Sequence, residues 1–137
     1  MPDRTPVADT LADHDSACEV GVGRRPGVAA TLAERGLSVV ATDVRPRAVP
    51  EGVQFVRDDL LAAADRARDG ADPGGPYHAD VLYALHCPPE LHRPLATVAA
   101  ATGADAAFTT LGGDPPTVPV TPAPLPGGAT LYHVDDA

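Results

Sequence analysis

The sequence predicts an α/β fold: a doubly wound, mostly parallel sheet with helices on both faces, Rossmann-like in outline. Three observations carry this prediction. Apolar, β-competent runs alternate with helix-spaced segments from residue 17 to residue 111. The first run ends on two glycines immediately ahead of a helix. Asp43 closes the second run, twenty residues beyond the second of those glycines.

Residues 17–22 are apolar apart from Glu19, and Gly21 and Gly23 break the run, so a buried strand ends there in a tight turn. Pro26 suits a helix's first turn, where its missing N–H costs nothing. Val28, Ala29, Leu32 and Ala33 then recur at helical spacing until Gly36. LSVVATD, residues 37–43, is the second strand and completes a βαβ unit. A third strand follows around residues 53–56, then a helix in LLAAADRARDGA that DPGGP at 72–76 stops. DVLYAL, residues 80–85, is the fourth strand. The helix in PPELHRPLATVAAATG opens on two prolines and closes at Gly103, and ADAAFTTL is the fifth strand. Residues 112–128 hold six prolines and four glycines, a composition that excludes a core helix or central strand and predicts a loop. ATLYHV, residues 129–134, is expected as a last strand at the sheet edge.

The 137 residues are enough for one domain, which buries about 70% of the surface its unfolded chain exposes. We expect residues 17–137 to form it, with residues 1–16 an added segment carrying a short helix over 6–13. Fifteen Asp and four Glu face ten Arg and no Lys, a net charge of -9. Such a surface repels nucleic-acid phosphates unless arginines cluster locally, and it suits a salt-rich, halophilic cytoplasm, where screening relieves self-repulsion. GC-rich codon usage accounts for the same bias. Cys18 and Cys87 form no CxxC pair, so neither a disulfide framework nor a zinc ribbon is indicated. The acidic N-terminus lacks the apolar core of a leader, and no run reaches the roughly 18 apolar residues of a membrane span, so a cytoplasmic protein is expected.

In an open parallel sheet, ligands sit beyond the carboxyl ends of the strands, at the switch point beside strand one. Here that point is the turn at residues 21–27. Two glycines let a ligand approach the backbone, and the helix start behind them offers N–H groups. Asp43 is placed to accept hydrogen bonds from both hydroxyls of a ribose, and Asp58 and Asp59 to reach an adenine edge. Gly-x-Gly after a strand is also common in ordinary loops, and Asp43 is equally a capping or solvated residue on this evidence.

CEVGVG with Asp43 and RDD resembles the cofactor half of class I S-adenosylmethionine-dependent methyltransferases. The resemblance implies Glu19, Gly21 and Gly23 along the methionine part of the cofactor, Asp43 on the ribose, and Asp58 or Asp59 near the adenine. EVGVGRRPGVAATLAERG, ATDV, FVRDDL and CPPELHRPL together are similar to a small archaeal family of uncharacterised proteins with a Rossmann-like, methyltransferase-like fold. That similarity runs from residue 17 to residue 113 and implies a fold and no reaction.

The departures matter as much. Arg25 stands where the methyltransferase pattern has a third glycine, and Pro26 where a dinucleotide GxGxxG has one. Arg24 and Arg25 either bind an anion such as the methionine carboxylate, or close the pocket, or face solvent and pair with acids. Arg45 and Arg47 suit the extra phosphate of NADP, making NAD(P) the alternative cofactor, and a surface pairing with the surrounding acids explains them as well. At the end of strand four, Cys87 and Glu90 replace the acid or amide and the aromatic of the Asp/Asn-Pro-Pro-aromatic motif that amino-nitrogen methyltransferases carry; only the proline pair matches. His86, Glu90 and His92 are the one group there with acid–base or metal-ligating chemistry, and no third convincing ligand completes a metal site. No catalytic set is identified. Past strand five, the proline-rich segment and one strand stand in place of the methyltransferases' helix and antiparallel pair. A domain so reduced is one that a second copy can complete as a homodimer. The expectations are therefore a binder of S-adenosylmethionine or a related adenosine compound, with methyl transfer to an unidentified acceptor if it is an enzyme; an NAD(P)-binding protein; or a non-catalytic regulatory module with a degenerate pocket.

Overall fold

The computed structural model describes residues 5–135, so the ends of the expected 1–16 and 17–137 units lie outside the described residues. The elements run α1 (Thr5–Leu11), β1 (Ser16–Val20), α2 (Gly27–Glu34), β2 (Ser38–Asp43), β3 (Val53–Arg57), α3 (Leu60–Arg68), β4 (Val81–Ala84), α4 (Pro89–Thr102), β5 (Asp105–Phe108), β6 (Val120–Pro124) and β7 (Thr130–Val134), with a single 3-10 turn at Gly75–Tyr77 before β4. The seven strands form one sheet in the order β3-β2-β1-β4-β5-β7-β6. β1 to β5 pair in parallel, and β7 joins β5 and β6 antiparallel.

Period-two alternation sends successive strand side chains to opposite faces, and each face has its own helices. Ala17, Val39, Val81 and Tyr83 pack under α1 and α2 with Val7, Leu11, Val28 and Leu32. Cys18, Val20, Leu82 and Phe108 pack under α3 and α4 with Leu60, Ala63, Leu95 and Val98. β4 is buried along its whole length, as a central parallel strand covered on both faces must be. Chain order reverses on either side of β1, which has β2 on one flank and β4 on the other. The switch point is therefore at the carboxyl end of β1, where the glycine turn lies.

Two expectations at the C-terminal side are corrected. Residues 112–128, read as a loop, contain β6, and residues 129–134, read as the edge strand, lie inside the sheet between β5 and β6. The antiparallel pair expected to be missing is thus present. The physical reason lies in the spacing of the prolines. Asp135 N–H donates to Pro119 O (3.0 Å) and Leu125 N–H to Ala129 O (2.8 Å), so the odd-numbered residues of β6 bond to β7. Pro122 and Pro124 fall on the even positions, whose backbone faces away from β7, and their missing N–H groups cost no ladder bond at an edge. Among the described residues no helix is long and apolar enough to cross a membrane.

Candidate functional site

The turn after β1 is tied to the end of β2. Gly21 and Val22 N–H both donate to Thr42 O (2.9 and 3.0 Å), and Gly23 N–H donates to Asp43 Oδ2 (2.9 Å). Gly21 and Gly23 have φ of 70° and 61°, the left-handed region that L side chains avoid. Among the described residues, a Cβ at either position would meet no atom within 4 Å beyond its own chain neighbours. Packing does not require these glycines; the backbone conformation does, and it leaves bare backbone facing open space.

Asp43 is the anchor of this turn. Its Oδ1 accepts from Arg45 N–H (3.0 Å), and the Arg47 guanidinium lies 3.3 Å from Oδ2. Burial alone would raise the carboxyl's pKa. The backbone donors of Arg45 and Gly23 and the Arg47 charge outweigh it and hold the group below the usual carboxylate range. Each oxygen accepts one hydrogen bond, and a carboxylate has about four acceptor sites, so capacity for a ligand's hydroxyls remains.

Two adjoining clefts open at this edge and share Gly21. One, of about 200 Å³, lies between the ends of β1 and β4 and is lined by Glu19, Gly21, Gly23, Arg24, Arg25 and His86. The other, of about 160 Å³, lies on the β2 and β3 side and is lined by Gly21, Asp43, Val44, Asp58, Asp59 and Leu91. All seven residues expected from the sequence as ligand-binding therefore face one cleft or the other.

Several of those acids also serve the scaffold. Asp58 Oδ2 accepts from Tyr77 Oη (2.7 Å) and Arg66 Nη2 (2.9 Å). Burial first, and then Asp58, raises the Tyr77 hydroxyl, so it stays a donor. Asp59 caps α3, its Oδ1 accepting from Leu61 N–H at 2.9 Å. Glu19, 1% exposed, accepts at Oε1 from Tyr83 Oη (2.8 Å), its register partner on β4. Burial and then Glu19 raise the Tyr83 hydroxyl in turn. Arg24 and Arg25 are exposed and make no ion pair among the described residues. It is Arg47 that sits against Asp43, so the two arginines of the turn leave the clefts open.

The end of β4 separates into a structural histidine and a strained one. His92 is fully buried, stacked on Phe108 with ring centroids 4.1 Å apart. Its Nδ1 accepts from Thr117 N–H (3.1 Å) and its Nε2 donates to Cys87 O (3.0 Å). Both ring nitrogens are used in bonding α4 to the β4 turn and the proline-rich segment, which removes His92 from the expected acid–base group. Cys87 is buried, and burial and then Glu90 push its thiol up to about 12. Among the described residues no three His, Cys, Asp or Glu side chains converge on a point where a metal could sit. His86 is the only non-glycine residue with positive φ among the described residues, at 50°. The local sequence held no signal for this conformation, nor for the Tyr77 and Tyr83 anchors, whose partners lie 19 and 64 residues away.

Comparisons with known proteins place this geometry. A profile described as Uncharacterised protein family (UPF0146) matches residues 3–133. A UPF0146 protein of Halobacterium salinarum is 47% identical over 131 residues, 96% of this chain and 95% of the relative. Among solved structures, an RNA methyltransferase from Salinibacter ruber in complex with S-adenosyl-L-homocysteine is similar with a TM-score of 0.60 and 20% identity, over 100% of this chain and 95% of that one. An S-adenosylmethionine-dependent methyltransferase from Agrobacterium tumefaciens is similar with a TM-score of 0.61 and 9% identity, covering 98% of this chain and 62% of that one. At such identities the likeness is one of fold alone, a fold that these two methyltransferases share with this chain.

Proposed function

The chain belongs to the uncharacterised protein family UPF0146, and we propose that it binds S-adenosylmethionine or a closely related adenosine compound across its two clefts, as a methyl-transfer enzyme. One observation carries the reading: two compartments meet at Gly21 on the switch point, one acidic and partly apolar, the other carrying exposed arginine.

The β2 and β3 cleft suits the adenosine. Asp43 has acceptor capacity for the ribose, Val44 and Leu91 offer apolar walls for a base, and Asp58 and Asp59 stand at its edge. Val44 is 55% exposed, an apolar side chain that a bound base would cover. The cleft toward β4 suits the amino-acid end, with Arg24 for the carboxylate and Glu19 beyond the glycines. When bound, the cofactor supplies an electrophilic methyl group on a sulfonium. The chain's own task is to hold the two ends apart and keep Asp43 ionised and fixed.

Titration calorimetry in high salt with S-adenosylmethionine, its demethylated product, NAD, NADP and ATP tests the reading. Saturable heat with the two sulfur compounds, weakened about tenfold by Arg24→Ala, is expected from loss of one charge-assisted bond. Absence of heat with both sulfur compounds overturns it, and tight NADP binding lost in Arg45→Ala replaces it with the dinucleotide reading.

A further inference from the structure

We propose that the cavity between the ends of β4, β5 and β7 is a second binding site, for a small uncharged polar molecule, with His86 as the wall it shares with the cleft beside Gly23. It measures about 210 Å³. Leu85 and His86 line both this cavity and the cleft beside Gly23, so the two spaces adjoin. Thr109 and Thr110 follow β5, Thr130 and Tyr132 come from β7, and Val7 of α1 contributes an apolar side. Gly112 and Gly128, at the two ends of the proline-rich segment, close it. That segment therefore shapes a site rather than merely joining two strands.

The character of the lining defines the ligand. Charged residues make up 21% of the chain, yet among the described residues no Asp, Glu or Arg lines this cavity. Hydroxyls, an imidazole and backbone groups do, which favours a neutral partner that both donates and accepts hydrogen bonds and disfavours a bare charge. A cavity of about 150 Å³ holds a benzene ring, so the space here suits one ring with polar substituents.

His86 is held in place at a cost. A non-glycine residue in the left-handed region is strained. Thr109 clamps the turn from β5: its Oγ1 accepts from His86 N–H (2.8 Å), its carbonyl from Cys87 N–H (2.7 Å), and its own N–H donates to Ala84 O (3.1 Å). These bonds keep the residue on the boundary between the two spaces, where strained residues are drawn to functional sites. That the ligand is a methyl acceptor rests on the reading above; that the cavity binds it does not.

The test is an amide NMR titration of the whole chain with three one-ring probes of similar size: neutral 2-pyridone, anionic picolinate and cationic 2-(aminomethyl)pyridine. The expected result is that 2-pyridone moves the amides of Thr110, Gly112, Gly128 and Thr130, and that the charged probes bind at least about fivefold more weakly. Thr130→Trp, which fills the cavity, abolishes that response while S-adenosylhomocysteine still moves Gly21 and Gly23. His86→Gly, which relieves the strain and so folds, weakens 2-pyridone binding independently. Silence with 2-pyridone, equal binding of all three probes, or a response untouched by both variants overturns the site. A normal 2-pyridone response with no effect of S-adenosylhomocysteine on Gly21 and Gly23 supports the cavity and removes the methyltransferase reading alone.

Discussion

On the β1 to β3 side of the switch point four acids face the clefts, Glu19, Asp43, Asp58 and Asp59, and each is also bonded to the scaffold. On the β4 to β7 side no Asp, Glu or Arg among the described residues lines the cavity, and a strained histidine and three threonines do. The first region is rigid because its ligand-facing groups double as structural bonds. The second is shaped by backbone: a clamped turn, an antiparallel pair and a proline-rich segment. Substituting those four acids should accordingly cost stability, and substituting the side chains that line the cavity should leave the fold largely intact.

The largest effect is expected at Asp43. Asp43→Ala leaves the Gly23 and Arg45 N–H groups without their acceptor and the Arg47 guanidinium without its ion-pair partner, and should cost about 3 kcal/mol in chemical denaturation. The cost should also depend on pH. A carboxyl whose folded pKa lies below its unfolded value of about 3.9 contributes its stability above that value and loses it as pH falls through the folded pKa. The gap between wild type and variant should therefore narrow in acid, below about pH 4, with the protonated carboxyl still accepting from the two backbone N–H groups. A gap of unchanged size there contradicts the ionic account of the turn.

His92→Phe comes next. It preserves a ring against Phe108 but strands Cys87 O and Thr117 N–H, for a loss of about 2 kcal/mol read from the denaturation midpoint. Because His92 joins the β4 turn to the proline-rich segment, amide exchange at Thr117 should accelerate in the same variant.

These two residues also show how much the sequence disclosed. The glycine turn and Asp43 were legible because βαβ geometry is local: a strand, a turn and a helix within about thirty residues fix where the second strand ends. The same spacing brought Glu19, Asp58 and Asp59 to the site. What it left open was which bonds they make. Asp43 was expected on a ribose and is first the anchor of Gly23, and Asp59 rather than Asp43 is the helix cap. Tyr77 and Tyr83 escaped notice because their partners are distant in sequence, and of the two readings open for Arg47, a phosphate or a neighbouring acid, the i,i+4 pairing with Asp43 is the one present. β6 was hidden by composition, since its prolines fit a strand only at an edge and only on alternate positions. His92 looked like chemistry and is a strut, whereas His86 acquires its role from a backbone angle that no residue pattern announces.

The smallest effects belong to the residues that line the cavity. His86→Gly should raise thermal stability slightly, by about 1 kcal/mol, since glycine takes a φ of 50° without strain. A clear loss of stability would show instead that the His86 ring carries structure, and that the strain has no bearing on a ligand.

The most direct measurement for the whole account is a crystal structure grown with S-adenosylhomocysteine. The predicted result has the adenosine in the cleft of Asp43, Val44 and Leu91, the ribose on Asp43, and the amino-acid end beside Gly23 and Arg24. A ligand bound away from Gly21, or one that enters only after Asp43 has released the glycine turn, would contradict it.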